Sequence, residues 1–389
     1  MKSVKRFGVI SLLLISGGAL ALEPQLDAAY DQVMAEGERN RVLNQMRAGT
    51  MALDLGHVDL ATRSFDEALV RINTIYADDE TAKKARSLWY SEGTKTFIGE
   101  PYERAMVHYY RGLIDMMAGE YDNARASFKG GVLQDAFAEE EQNRADFAIL
   151  MFLSGWASHL RGETAMAKEA WEEVQTFRPD FVFPAADHNL LVVAESGKAP
   201  RKLADGVGHN LLVYRRGKRF KERSVKLVAG APVASLYPME DIFVQAATRG
   251  GRPVDAILDG QVKFKKGAAK FGSVLTDTAS AAADWTAYAT GANTSTGVFG
   301  AMQVAGALAL AFSSGARAEA DTRYWDNLPD AVHIMTGKVS DFEGQLQFEY
   351  LNHRGASLKQ PMLRQAPVQV DKNGNGLVWV RSRPATELK

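Results

Sequence analysis

The sequence contains no cysteine among its 389 residues, which excludes disulfide bonds, catalytic thiolates, and zinc or iron–sulfur sites held by cysteine. Proline is scarce, with 12 residues, and the chain is 46% hydrophobic and 24% charged. This composition excludes a disordered or collagen-like chain. The formal net charge of −1 argues against a dedicated nucleic-acid-binding protein. A chain of this length is expected to form two or three globular domains.

Motifs that identify a reaction are also missing. The sequence has no HExxH, Walker or GxSxG motif and no GxGxxG motif after a predicted strand, and its seven histidines lie far apart. We therefore expect no catalytic residue, no cofactor and no bound metal. The alternative is an enzyme whose catalytic residues converge only in the folded chain.

Residues 1–21 have the order of residues found in a secretory signal peptide: the basic residues Lys2, Lys5 and Arg6, an apolar run, and Ala19-Leu20-Ala21. The apolar run is shorter than the roughly 20 residues that a membrane-spanning helix needs. We predict cleavage before Leu22 and export of the mature chain to the periplasm, and a peripheral location at the outer membrane is compatible with this prediction.

Small and aromatic residues of the N-terminal half recur with the spacing of a tetratricopeptide (TPR) repeat. The three matches are Gly49, Gly56, Ala61, Phe65 and Ala68; Gly112, Gly119, Tyr121, Ala124 and Phe128; and Gly155, Gly162, Ala167 and Trp171. In such a repeat, small residues let two antiparallel helices approach, and the aromatic residue fills the space beside them. The spacing predicts a TPR-like α-solenoid over residues 22–197, with an inserted helix at Thr81–Tyr90.

Two further segments carry a resemblance to a known family. The segment Gly99–Arg104 has the sequence GEPYER, and the segment Ala320–Pro329 begins with ADTRYW. Together they resemble an uncharacterised family of bacterial secreted proteins and lipoproteins with a TPR-like N-terminal half. The resemblance implies a location in the cell envelope and no established activity. The lipobox cysteine of lipoproteins is absent here, so the resemblance does not extend to lipid attachment.

The first helix of each TPR-like hairpin is expected to line a concave groove. The groove residues that we predict to bind a partner are apolar or aromatic: Met46, Tyr109, Met116, Phe152, Trp156 and His159. Such a groove favours an apolar helix or strand of another exported protein. The alternative is that the groove is filled from within, by the Tyr76–Arg104 insert or by the C-terminal half.

Acidic and basic residues are distributed unevenly along the predicted mature chain. Residues 22–197 contain 17 Lys and Arg against 30 Asp and Glu, whereas residues 198–389 contain 26 against 17. In the second half we predict that a basic hairpin between strands at 210–214 and 224–228 contacts an anionic membrane or wall polymer. Its contact residues are Arg215, Arg216, Lys218, Arg219, Lys221 and Arg223. A solvated hairpin and contact with the acidic half are the alternatives, and nucleic acid is not expected because aromatic residues are not interleaved.

Further strands are predicted at Pro253–Val262, at Gln345–Tyr350 and in a C-terminal hairpin. The connector of that hairpin, Asp371–Gly376, matches half of a calcium-binding loop, but the residue types needed to complete the loop do not follow, so we interpret it as a turn. No charge occurs between Asp284 and Arg317. A long apolar helix is expected within this stretch, at 297–312. Burial in the domain, membrane insertion and self-association are open alternatives for it.

The sequence thus predicts an α+β protein in which a signal peptide (1–21) and a TPR-like α-solenoid (22–197) precede a basic, β-rich domain (198–389) with one long apolar helix. The favoured function is a non-catalytic cell-envelope scaffold. It would bind another exported protein through the groove and dock on a membrane, wall or larger assembly through the basic domain. A homo-oligomer is compatible with the sequence. The alternative function is an envelope enzyme that processes carbohydrate or wall, with its site in the C-terminal half.

Overall fold

The computed structural model describes residues 23–77, 96–136, 146–205, 211–228, 233–249, 321–342 and 344–387. Several predictions lie outside the described residues: the signal peptide, the inserted helix Thr81–Tyr90, the strand Pro253–Val262 and the apolar helix at 297–312. Among the residues that are described, no long apolar helix is present, and no helix has the length and hydropathy needed to cross a membrane.

The described residues form eight helices and three sheets, which confirms the α+β class. Seven helices come before the first strand, and the eighth lies among the strands of the second half. The helices are α1 (Pro24–Ala35), α2 (Arg41–Asp54), α3 (Val58–Ala77), α4 (Pro101–Met117), α5 (Tyr121–Ala136), α6 (Ala148–Leu160), α7 (Thr164–Phe177) and α8 (Ile242–Arg249).

Helices α2 to α7 pack as three consecutive pairs, α2 with α3, α4 with α5 and α6 with α7. Each pair is held by the same close approach of a glycine to an aromatic ring. A methyl group at Gly49 would lie 2.9 Å from the Phe65 ring, which is closer than real side chains come. Gly112 meets Phe128, and Gly155 meets Trp171, in the same way. A larger residue at these glycines would push the paired helices apart.

The turn inside each pair also depends on glycine. Gly56, Gly119 and Gly162 end the first helix of their pairs with φ angles of 84°, 70° and 77°. Residues with a Cβ rarely adopt this left-handed conformation, so glycine is the favoured residue where the chain must leave a helix and turn back.

A five-stranded sheet, here called the central sheet, follows the helices in the order β10-β11-β1-β7-β6. Its strands are β1 (Leu190–Ser196), β6 (Tyr237–Asp241), β7 (Ala331–Gly337), β10 (Gln369–Val370) and β11 (Gly376–Arg381). β1 and β11 are parallel, and the other neighbours are antiparallel. The last helix before the sheet ends at Phe177, and β1 already lies within the sheet, so the helical half is shorter than the predicted boundary at residue 197.

A second, four-stranded sheet, the outer sheet, has the order β5-β4-β8-β9, and a separate two-stranded hairpin pairs β2 with β3. The strands are β2 (Arg201–Asp205), β3 (Leu211–Arg215), β4 (Ser224–Leu227), β5 (Ala234–Ser235), β8 (Gln345–Leu351) and β9 (Ser357–Pro367). The C-terminal hairpin β10–β11 and the strand predicted at Gln345–Tyr350 are confirmed.

The predicted basic hairpin, in contrast, is wrong in its pairing. β3 pairs with β2, whereas β4 pairs with β5 and β8 of the outer sheet. The basic segment between β3 and β4 therefore connects two different sheets. Alternating apolar residues identify each strand in the sequence, but they do not specify which neighbour the strand pairs with.

The two faces of the central sheet form two hydrophobic cores. Leu191 and Val193 of β1 point to the helices, whereas Leu190, Val192 and Ala194 point to the outer sheet. All seven residues of β1 are buried. The molecule therefore has three layers, with the helices, the central sheet and the outer sheet stacked in that order.

Candidate functional site

The concave groove predicted for the helices is filled by the chain's own C-terminal half. Five of the six predicted groove residues are buried: Met46, Tyr109, Met116, Phe152 and Trp156. The sixth, His159, is half-buried, and its Nε2 lies 2.8 Å from the backbone oxygen of His188. The five buried side chains are not accessible to a partner protein in this structure. Of the two arrangements that the sequence left open, the structure therefore has the groove filled by the C-terminal half, whose central sheet covers the apolar helix faces.

The centre of this interface is a buried carboxylate, Glu195 of β1. The hydroxyl groups of Tyr109 and Tyr110 each donate to it at 3.1 Å, and Trp379 Nε1 donates at 3.0 Å. The Arg381 guanidinium lies 3.0 Å from the same carboxylate and donates at 2.6 Å to the backbone oxygen of Asn327. Helix α4 and strands β1 and β11 are thus joined through one acidic side chain.

The electrostatics of the Glu195 cluster follow from its burial. Desolvation raises the pKa of Glu195, and the charge of Arg381 lowers it. Burial and the adjacent carboxylate raise the pKa values of Tyr109 and Tyr110 well above the usual range. The two tyrosines therefore stay neutral and donate hydrogen bonds. Because every carboxylate oxygen already has protein donors, the cluster joins the two halves and leaves no open position for a substrate.

The GEPYER and ADTRYW segments meet at a second buried carboxylate, Glu103. Its oxygens accept hydrogen bonds from the backbone nitrogens of Glu100 at 2.7 Å and Trp325 at 2.6 Å. Glu100 caps α4 and pairs with Lys202 of β2, which is itself buried. Burial raises the pKa of Glu103 to about 7, although the charge of Lys202 lowers it.

The ADTRYW segment and the residue after it also contact the first helical pair, α2 and α3. Asp326 accepts from Arg47 Nε of α2 at 2.7 Å. The Arg323 guanidinium donates to Asn40 Oδ1 at 2.7 Å and lies over the Phe97 ring. The GEPYER and ADTRYW segments, far apart in sequence, therefore form one contact between the helical half and the sheets.

A third buried carboxylate, Glu240 of β6, contacts the last helical pair. It accepts from the backbone nitrogen of Ile149 at 3.2 Å and pairs with Arg178 at 3.3 Å. Burial raises the pKa of Glu240 to about 7, and Arg178 opposes this shift. Each of the three helical pairs thus has its own polar contact with the C-terminal half.

The predicted anionic-surface residues divide into two groups. Arg216 pairs with Asp241 at 2.5 Å and with Asp330 at 2.7 Å, and Arg223 pairs with Asp330 at 3.0 Å. Both aspartates are buried, and burial raises the pKa of Asp330 to about 6 against the effect of Arg216. Arg216 and Arg223 are therefore committed to internal ion pairs. Arg215 is half-buried at the end of β3.

The second group is exposed. Lys218, Arg219 and Lys221 lie on a bend that we call the basic tip, residues 218–221. Arg219 has a φ of 63°, the one left-handed non-glycine residue among those described. Within the described part of the chain, none of the three cations has an ion-pair partner.

The backbone of the basic tip is held on both sides. Gly217 packs so closely on the backbone of Lys198 that a Cβ would lie 2.6 Å from its oxygen. The Phe220 ring faces Gly197. On the far side, the buried Glu222 pairs with Arg383 at 2.5 Å. Because both ends of the bend are fixed, binding through its cations loses less conformational entropy than binding through a free loop would.

The half calcium loop serves as a turn. Asp371 Oδ1 accepts from the backbone nitrogens of Asn373 at 2.8 Å and Asn375 at 3.1 Å. Its other oxygen meets the Tyr121 hydroxyl, so the C-terminal hairpin contacts the start of α5. Over the described residues, no group of three or more His, Cys, Asp or Glu side chains could hold a metal ion.

Comparisons with protein-family models, with curated proteins and with solved structures gave no match for this chain. The interface carboxylates Glu103, Glu195 and Glu240 were not identified by the sequence analysis. Each is a single acidic residue within a buried strand or in the first turn of a helix. The sequence offers one indirect signal, which is that Glu103 belongs to the GEPYER segment.

Proposed function

We propose that this chain is a non-catalytic cell-envelope scaffold that binds another exported protein through the outer surface of its helical half and docks on an anionic surface through its basic domain. The observation that carries the proposal is the filled groove. Because the inner helix faces are buried against the central sheet, the faces left for a partner are the exposed outer helix surfaces.

The helical pairs are proposed to be TPR-like. The contacts of Gly49 with Phe65, Gly112 with Phe128, and Gly155 with Trp171 support this assignment, since they join the positions at which such repeats pair a small residue with an aromatic one. Solenoids of this kind serve mainly as binding surfaces.

The partner-binding face is assigned to the outer surface of α7. Glu169, Glu172 and Glu173 are exposed there, and Lys168 pairs with Glu172 at 3.5 Å. Among the described residues, Glu169 and Glu173 have no ion-pair partner. These unpaired carboxylates favour a partner with a basic surface, since complementary charge directs association.

The experiment places a photo-crosslinking amino acid at the exposed Thr176, on the same face of α7, in the full chain expressed in cells. We expect a crosslinked adduct in the exported fraction and loss of that adduct when Glu169→Lys and Glu173→Lys are introduced together. Mass spectrometry then identifies the partner.

The matched control reverses two exposed acidic residues with the same spacing on α1, Asp27→Lys and Asp31→Lys. This control should leave the adduct intact. An adduct that survives reversal on α7, or the absence of any adduct in cells, would contradict the proposal. Recovery of a mature chain that starts at Leu22 tests the proposed export separately.

A further inference from the structure

We infer that the basic tip, residues 218–221, is a preformed contact for anionic phospholipid headgroups. The inference rests on the proposed function, because it names the surface on which the scaffold docks. It assigns the contact to Lys218, Arg219 and Lys221, and it removes Arg216 and Arg223 from the contact because their charges are held by Asp241 and Asp330.

Two further arginines lie next to the three cations of the tip. Arg201 of β2 and Arg215 of β3 lie directly opposite each other in the β2–β3 hairpin. Like charges in this position destabilise a strand pair. The Arg201 side chain donates at 3.0 Å to the backbone oxygen of Arg216, so it lies against the base of the tip. Two further cations thus reinforce the positive field of the three exposed ones.

The shape of the tip favours a broad anionic surface over a polymer bound in a groove. The cations are exposed on a bend, and the one aromatic residue of the tip, Phe220, packs against Gly197 and Arg223. Single-stranded nucleic acids require outward aromatic rings on which bases stack. A bend that offers cations alone instead fits the headgroups of a phospholipid surface, which attract each nearby Lys or Arg.

The test measures partition of the full mature chain into vesicles of phosphatidylglycerol and phosphatidylcholine by flotation. The tip variant combines Lys218→Gln, Arg219→Asn and Lys221→Gln; asparagine is chosen because it tolerates the left-handed conformation. Each Lys or Arg near an anionic surface strengthens binding roughly fivefold, so we expect the partition coefficient to fall on the order of a hundredfold at low salt.

The control variant removes the same charge from exposed residues elsewhere, with Lys129→Gln, Arg354→Gln and Lys359→Gln. It should float like the wild-type chain, and both variants should unfold at the wild-type temperature. Wild-type binding should disappear with pure phosphatidylcholine and at high salt, because exposed charges are screened.

Equal flotation of the tip variant and the wild type would overturn the inference. A wild-type chain that binds soluble polyphosphate but does not bind the vesicles would overturn it as well. Neither result affects the crosslink at Thr176, so failure of the lipid contact can be distinguished from failure of the scaffold proposal.

Discussion

Replacing Glu195 by glutamine should uncouple the two halves of the molecule. The substitution keeps the volume of the side chain but leaves the Arg381 guanidinium, whose side chain is only 6% exposed, without its counter-charge. Tyr109, Tyr110 and Trp379 all donate hydrogen bonds to the carboxylate. The amide nitrogen of glutamine is itself a donor, so it cannot accept the hydrogen bonds that one carboxylate oxygen accepts. Removing one partner of a buried ion pair costs about 3–5 kcal/mol. We expect a loss of that size in the free energy of unfolding.

The assay is urea-induced unfolding of the full chain, followed by tryptophan fluorescence and by far-ultraviolet circular dichroism. Because Glu195 joins α4 to β1 and β11, the two signals should separate in the Glu195→Gln variant and coincide in the wild type. Tyr110→Phe, which removes one hydrogen bond to the carboxylate, should cost about 1.5 kcal/mol.

A double variant locates the origin of the loss. If most of the loss in unfolding free energy comes from the unpaired charge of Arg381, the double variant Glu195→Gln, Arg381→Met should lose less free energy than the two single variants lose in sum. A Glu195→Gln chain within about 1 kcal/mol of the wild type, with coincident signals, would refute the assignment of Glu195 as the interface centre.

Two further predictions test the filled groove and the buried carboxylates. Trp156→Ala should cost about 3–5 kcal/mol of stability, because the indole is fully buried beside Phe152; thermal unfolding measures this, and a wild-type melting temperature would show that the groove is open. Burial raises the folded-state pKa of Glu240 from 4.5 to about 7, so its contribution to stability is complete below pH 4.5 and is lost as the pH rises through 7. The melting temperature of Glu240→Gln should therefore fall less than that of the wild type between about pH 5 and pH 8, and parallel curves would show that Glu240 has an ordinary pKa.

Structure could be predicted from the sequence where the contacts that determine it are local. Gly49 and Phe65, which pack together, are 16 positions apart in sequence, and the same spacing recurs in the next two pairs. The C-terminal hairpin was likewise predictable, because the Asn-Gly connector and the alternating strands around it are adjacent.

Contacts between residues far apart in the sequence could not be predicted. Tyr109 and Glu195 are 86 residues apart, and the backbone of Trp325 reaches Glu103 across 222 residues. The six basic residues of one segment have similar chemistry in the sequence, yet Asp241 and Asp330 take up Arg216 and Arg223 and leave the basic tip exposed.

Composition and local spacing are enough to predict the α+β class, the paired helices with their glycine turns and the separation of acidic from basic residues, because these depend on neighbours within one supersecondary unit. Three features become visible only in the folded chain: the central sheet fills the helical groove, β3 and β4 enter different sheets, and Lys218, Arg219 and Lys221 have no ion-pair partner among the described residues. Apolar helix faces and strand patterns specify that a surface is buried, but the surface that covers it is chosen by packing among segments far apart in the chain.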